Sequence, residues 1–173
     1  GMEFGSAAAW AGDVDGDGCD DLLIGAQLYS EKESGLTNQG AAYLYYGGGY
    51  GLDTEPGWSY KGFQQDAKFG YAVGSAGDVN GDGFADVIVG ARGYTQAYSN
   101  EGAAYVFHGS ASGLHLIPDW LVYGTRATAA FGSAVAGIGD VNGDGFDDVA
   151  VGAPGWDTSA LYDNAGAVMV YLG

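Results

Sequence analysis

Three short blocks of residues recur in the same order three times along the chain, so whatever it folds into must be assembled from three like units. Phe-Gly stands at Phe4-Gly5, Phe69-Gly70 and Phe131-Gly132, and an Asp-Val pair follows at Asp13, Asp78 and Asp140. The second block reads Leu22-Leu23-Ile24-Gly25-Ala26, then Val87-Ile88-Val89-Gly90-Ala91, then Val149-Ala150-Val151-Gly152-Ala153. The third opens on Gly40-Ala41, Gly102-Ala103 and Gly166-Ala167. A fourth begins at Trp58 and Trp120 and has no counterpart before Gly173. The repeats run over about 4–66, 67–128 and 129–173, within one segment spanning 1–173.

Each block is short, rich in β-branched and aromatic residues, and bounded by glycine, which predicts four strands per repeat, A to D. Glycine makes up 34 of the 173 residues, beside 13 Tyr, 7 Phe and 4 Trp. That mixture suits short strands and tight turns rather than a linker. No stretch sustains a 3.6-residue apolar stripe, so long helices are not expected. The prediction is an all-β chain: a β-propeller fragment of three consecutive four-stranded antiparallel blades, the last lacking its outer strand. Strand A is predominantly small over Gly70–Gly77 and Gly132–Gly139, which suits an inner strand where blades converge.

The connection between strands A and B carries the chemistry. It reads Asp13-Val14-Asp15-Gly16-Asp17-Gly18-Cys19-Asp20-Asp21, Asp78-Val79-Asn80-Gly81-Asp82-Gly83-Phe84-Ala85-Asp86 and Asp140-Val141-Asn142-Gly143-Asp144-Gly145-Phe146-Asp147-Asp148. Side-chain oxygens fall at loop positions 1, 3, 5 and 9 each time. Hard cations such as Ca2+ take six to eight oxygens in a flexible shell, and a curled loop with alternating ligands supplies them. Position 7 would add a main-chain carbonyl from Cys19, Phe84 or Phe146. An EF-hand also opens Asp-x-Asp-x-Asp-Gly but needs a bidentate Glu at position 12. That position holds Ile24, Val89 and Val151. A metal-free turn would not need three or four carboxylates crowded together, whose repulsion opposes folding. Asp20 and Asp147, at position 8, are read as adding to the local negative field.

Charge narrows the partners. The 22 acids and 5 bases give a formal net charge of -17. A nucleic-acid backbone or an anionic lipid surface would be repelled. No apolar run is long enough to span a bilayer, and no signal peptide is expected within this chain. The single Cys19 has no internal disulfide partner, and neighbouring carboxylates argue against it as a nucleophile. No Cys/His cluster is evident, so zinc or copper is not expected. His108 and His115 read as ordinary surface histidines.

Phe-Gly, the acidic loop and Gly-Ala together resemble the FG-GAP repeat, the blade unit of integrin α-subunit propellers and their bacterial integrin-like relatives. The resemblance covers nearly the whole chain and implies three Ca2+ ions, one per repeat. The implied ligands are Asp13, Asp15, Asp17, Cys19 and Asp21; Asp78, Asn80, Asp82, Phe84 and Asp86; and Asp140, Asn142, Asp144, Phe146 and Asp148. Family propellers usually close with seven blades, whereas this chain carries three.

The connections between strands B and C are long for hairpins and carry Tyr29, Tyr94, Tyr98, Trp156 and Tyr162, candidate ligand-binding residues at the end opposite the acidic loops. The expected function is a non-catalytic, calcium-binding scaffold for protein interaction or adhesion, in an extracellular or cell-surface parent. The alternatives are a carbohydrate-binding propeller, with Tyr and Trp stacking on sugars, and an accessory module of a larger secreted enzyme. Open blade faces predict a head-to-tail homo-oligomer, dimer or trimer, or a complementary propeller fragment as partner.

Overall fold

The computed structural model describes residues 2–157 and 165–173. Tyr162 therefore lies outside the described residues. Eleven strands account for the regular structure, and there is no helix among the described residues. They form three antiparallel sheets in chain order. The first comprises β1 (Ala7–Gly12), β2 (Asp21–Ala26), β3 (Ala41–Tyr45) and β4 (Trp58–Lys61). The second comprises β5 (Phe69–Gly77), β6 (Asp86–Ala91), β7 (Ala103–Phe107) and β8 (Trp120–Tyr123). The third has three strands, β9 (Ala134–Gly139), β10 (Asp148–Ala153) and β11 (Ala167–Tyr171). Each strand pairs only with its neighbours in sequence, the up-and-down order of propeller blades. The expected three-blade fragment without a last outer strand is thus the observed architecture.

Registers repeat from blade to blade. Leu23 faces Leu44, Ile88 faces Val106, and Ala150 faces Val170. A bulge follows Trp10 in β1, and register shifts recur at Ser75/Gly77 and Asp148/Val149. Each lies where an inner strand turns into the acidic loop, and the local twist helps curl the chain. The middle strands are the most enclosed: every residue of β6 and β7 is buried.

The Phe-Gly motif locks adjacent blades. Phe69 is fully buried, its ring centroid 5.2 Å from Tyr60 in the first blade and 5.1 Å from Tyr105 in its own. Its N–H donates to the Gln39 carbonyl at 3.0 Å, and it forms a parallel bridge with Gly40. Phe131 repeats this, donating to the Glu101 carbonyl at 3.0 Å and bridging Gly102. The glycine of the motif follows from the same approach. Gly70 has φ of +77°, and a Cβ there would stand 2.2 Å from the Ala41 carbonyl oxygen. Phe4, at the open side of the first blade, is 49 % exposed. The third blade's open face likewise carries exposed Val168, Val170 and Leu172.

Candidate metal centre

The three acidic loops join β1 to β2, β5 to β6 and β9 to β10, all at one end of the blades. The main-chain amides are gathered in the same way three times. The position 1 carboxylate turns inward and gathers amides. Asp13 Oδ1 accepts from Gly16 N–H at 2.7 Å and Asp17 N–H at 3.1 Å, while Oδ2 accepts from Gly18 N–H at 2.9 Å. Asp78 collects Gly81, Asp82 and Gly83 at 2.7, 3.0 and 2.8 Å. Asp140 collects Gly143, Asp144 and Gly145 at 2.6, 3.1 and 2.9 Å. The Gly145 amide foremost, with those of Gly143 and Asp144, holds the Asp140 carboxyl below its usual range.

Positions 3 and 5 follow one rule. Asp15, Asn80 and Asn142 accept from the amide two residues on, at 3.2, 2.9 and 3.0 Å. Asp17, Asp82 and Asp144 accept from Cys19, Phe84 and Phe146 N–H at 2.8, 3.0 and 3.1 Å. In the second and third loops the asparagine amide also donates to the position 5 carboxylate, at 2.9 and 2.7 Å. The first loop has a fourth carboxylate, Asp15, in that place.

Position 9 begins strand B and is buried. Asp21, Asp86 and Asp148 are all 0 % exposed. Each accepts one amide from its own loop, from Val14, Val79 and Val141 at 3.0, 2.9 and 2.9 Å. Each accepts a second from beyond strand C, from Gly47, Gly109 and Gly173 at 2.7, 2.9 and 3.0 Å. Burial pushes the Asp21 carboxyl up, against these amides. Burial raises Asp86 to about 6, although the Gly109 and Val79 amides and the charge of His108 pull the other way.

In the first loop, oxygens of Asp13, Asp15 and Asp21 lie within 4.8 Å of one another. An all-oxygen donor set around one point, with buried position 9 as its floor, fits a hard divalent cation and not a thiolate- or imidazole-seeking one. The side chain of Cys19 has no place in such a set. Partial desolvation and the Asp17 carboxylate push its thiol up, leaving it protonated at neutral pH.

The second and third loops are keyed into the blade before. A Cβ on Gly16 would stand 2.6 Å from Phe84 Cε1, and one on Gly81 would stand 2.7 Å from Phe146 Cε1. The position 7 ring of one blade therefore covers the position 4 glycine of the preceding one. Position 8 extends the contact: Ala85 and Asp147 N–H donate to the Asp13 and Asp78 carbonyls, each at 3.0 Å.

The threefold repeat is matched by a known family. The FG-GAP repeat signature covers residues 4–45, 69–107 and 131–171. The chain belongs to the FG-GAP repeat family. Among its relatives are Integrin alpha-PS2 of Drosophila melanogaster, 38 % identical over 165 residues, and Integrin alpha-5 of Xenopus laevis, 32 % identical over 158. Each alignment covers 88 % of this chain, and 12 % and 15 % of those relatives respectively. Integrin alpha-10 of Homo sapiens is 39 % identical over 147 residues, 83 % of this chain and 12 % of that protein. The chain thus spans a small part of the length of these FG-GAP relatives.

The described B–C aromatics of this FG-GAP chain differ in their surroundings. Tyr94 packs against the core and stacks on Tyr123, with centroids 5.3 Å apart. Trp156 packs against the second core cluster, with the Arg126 guanidinium 5.0 Å from its ring. Tyr29 lies 5.5 Å from the Lys61 ammonium, and Tyr98 is half exposed. Sequence reasoning missed a second cluster altogether. His108, His115 and Asp119, set around the β7–β8 connection, bring their ligand atoms within 4.8 Å of one another. The only sequence signal was two histidines and an aspartate bracketing one predicted hairpin. No helix among the described residues is long and apolar enough to cross a membrane.

Proposed function

We propose that this chain is a Ca2+-stabilised segment of an integrin-like propeller that displays a protein-binding surface outside the cell, as a scaffold and not a catalyst. The observation that carries the reading is the threefold repetition of the acidic loop. The same donor positions, the same inward amide network and the same buried position 9 aspartate occur in each. The ligands are those implied by the sequence, from Asp13 to Asp21, Asp78 to Asp86 and Asp140 to Asp148, with the side chains at positions 1, 3, 5 and 9 and the carbonyl at position 7. Three ions, each with two positive charges, would bring the formal charge of -17 to -11.

Ca2+ would fix one end of the blades and leave the other for recognition. All five bases, Lys32, Lys61, Lys68, Arg92 and Arg126, lie in or beside the B–C and D–A connections, away from the acidic loops. A protein ligand would engage that end. The exposed outer faces of the first and third blades would be covered by further blades or by a second copy set head to tail. Binding to immobilised extracellular-matrix proteins, with and without Ca2+, tests the reading. Calcium-dependent retention supports it. Retention by glycans alone, or by no protein with Ca2+ bound, would overturn it.

A further inference from the structure

We propose that His108, His115 and Asp119 form a binding site for a borderline divalent transition ion, for which Zn2+ is the probe, separate from the three acidic loops. Two imidazoles and a carboxylate are ligands that zinc accepts in three-residue sites, with water completing the tetrahedron. Calcium prefers all-oxygen shells, so ligand chemistry sorts the two kinds of ion between the two kinds of site.

The geometry is close to what an ion needs. His115 Nδ1 lies 2.8 Å and His108 Nδ1 3.7 Å from the same oxygen, Asp119 Oδ1. Tetrahedral ligands at zinc's usual bond lengths stand about 3.3 Å apart, between these two values. The ion would replace the hydrogen bond between His115 and Asp119. His115, its side chain 47 % exposed, has room for the small shift this requires.

The surroundings hold these groups in place. Asp119 Oδ2 accepts the His108 N–H at 2.8 Å, which orients the carboxylate and leaves Oδ1 directed at the two rings. His115 N–H donates to the His108 carbonyl at 2.9 Å, and Trp58 of the first blade donates its indole N–H to the His115 carbonyl at 2.9 Å. Asp119 N–H donates to the Val106 carbonyl at 2.9 Å. Both ends of the connection and its middle are thus anchored, which is how metal sites are orientated from outside the ligand shell.

The test uses the whole chain saturated with Ca2+, so that the acidic loops do not compete for the probe. Zn2+ is titrated against a chromophoric chelator. One equivalent of Zn2+ should bind, and His115→Ala should weaken it at least tenfold, roughly the scale on which even outer partners of metal ligands act. His108→Gln should do the same, while calcium stoichiometry stays at its wild-type value in both variants. Co2+ in place of Zn2+ should give the visible bands of a tetrahedral site in the wild type and lose them in His115→Ala. Zinc affinity equal in the wild type and His115→Ala, or no Zn2+ retained by calcium-loaded protein, would overturn the proposal.

Discussion

Asp147 Oδ2 accepts the backbone N–H of Asp78 at 2.9 Å, joining loop position 8 of the third blade to position 1 of the second. The loops are therefore a linked series, although each carries its own set of oxygens. Asp147→Ala leaves a partly buried N–H without its partner, at a cost of about 1–3 kcal/mol. It should also loosen the second loop more than the third, its own. Calcium titration of the variant should show the weakened site to be that of Asp78, and Asp147→Asn, which retains an oxygen acceptor, should recover most of the loss.

Glycine at position 4 gives a second test of the same linkage. Gly81 has φ of +75° and lies under the Phe146 ring, whereas Gly143 has φ of +77° and no atom within 4 Å of a built Cβ. Gly143→Ala should cost only the left-handed backbone penalty, about 1–2 kcal/mol. Gly81→Ala adds an overpacking clash of about 1–3 kcal/mol. Thermal melts should rank Gly81→Ala well below Gly143→Ala, and equal melting would mean that the ring does not seat there.

Charge count separates the first loop from the others. Asp15 stands where Asn80 and Asn142 stand, and calcium affinity rises with ligand charge when geometry is kept. The first loop should bind tightest. Asp15→Asn should weaken it by about tenfold, roughly 1.4 kcal/mol, to the level of the other two, as read by calorimetric titration.

The repeat, the blades and the acidic loops were legible because their determinants are local. Asp13 to Asp21 are nine consecutive residues, and the strands alternate with glycine punctuation that needs no tertiary knowledge. What escaped depends on the seam between blades. Phe84 over Gly16, Asp147 on Asp78 and Phe69 on Gly40 are pairs between repeats, and no periodicity marks them. The role of Asp147 as a bridge, beyond its negative field, is of this kind. His108 and His115 met Asp119 only because β7 and β8 pair and bring the ends of their connection together. The B–C aromatics show the converse: a conspicuous residue type, here Tyr94, is held by packing on its own blade.

The contribution of Asp86 to the pH response should change sign with calcium. Without metal, folded Asp86 holds its proton up to about 6, against an ordinary value of 3.8. The folded state binds more protons than the unfolded one between those values, so stability falls as pH rises through that window. With Ca2+ the ion needs the carboxylate, protons compete with it, and stability rises over the same window. Asp86's share is read as the difference between the wild type and Asp86→Asn in melting temperature at pH 4 and pH 7, and that difference should have opposite signs with and without Ca2+.

Calcium itself is the most direct test. The metal-free chain is titrated with Ca2+, bound ion is counted by equilibrium dialysis, and melting is followed in parallel. Three ions per chain should bind, each stabilising the fold by about 2.7 kcal/mol when free Ca2+ is about 100 times its Kd. Binding of no ion, or a melting temperature indifferent to Ca2+ after verified metal removal, would contradict the calcium-stabilised propeller.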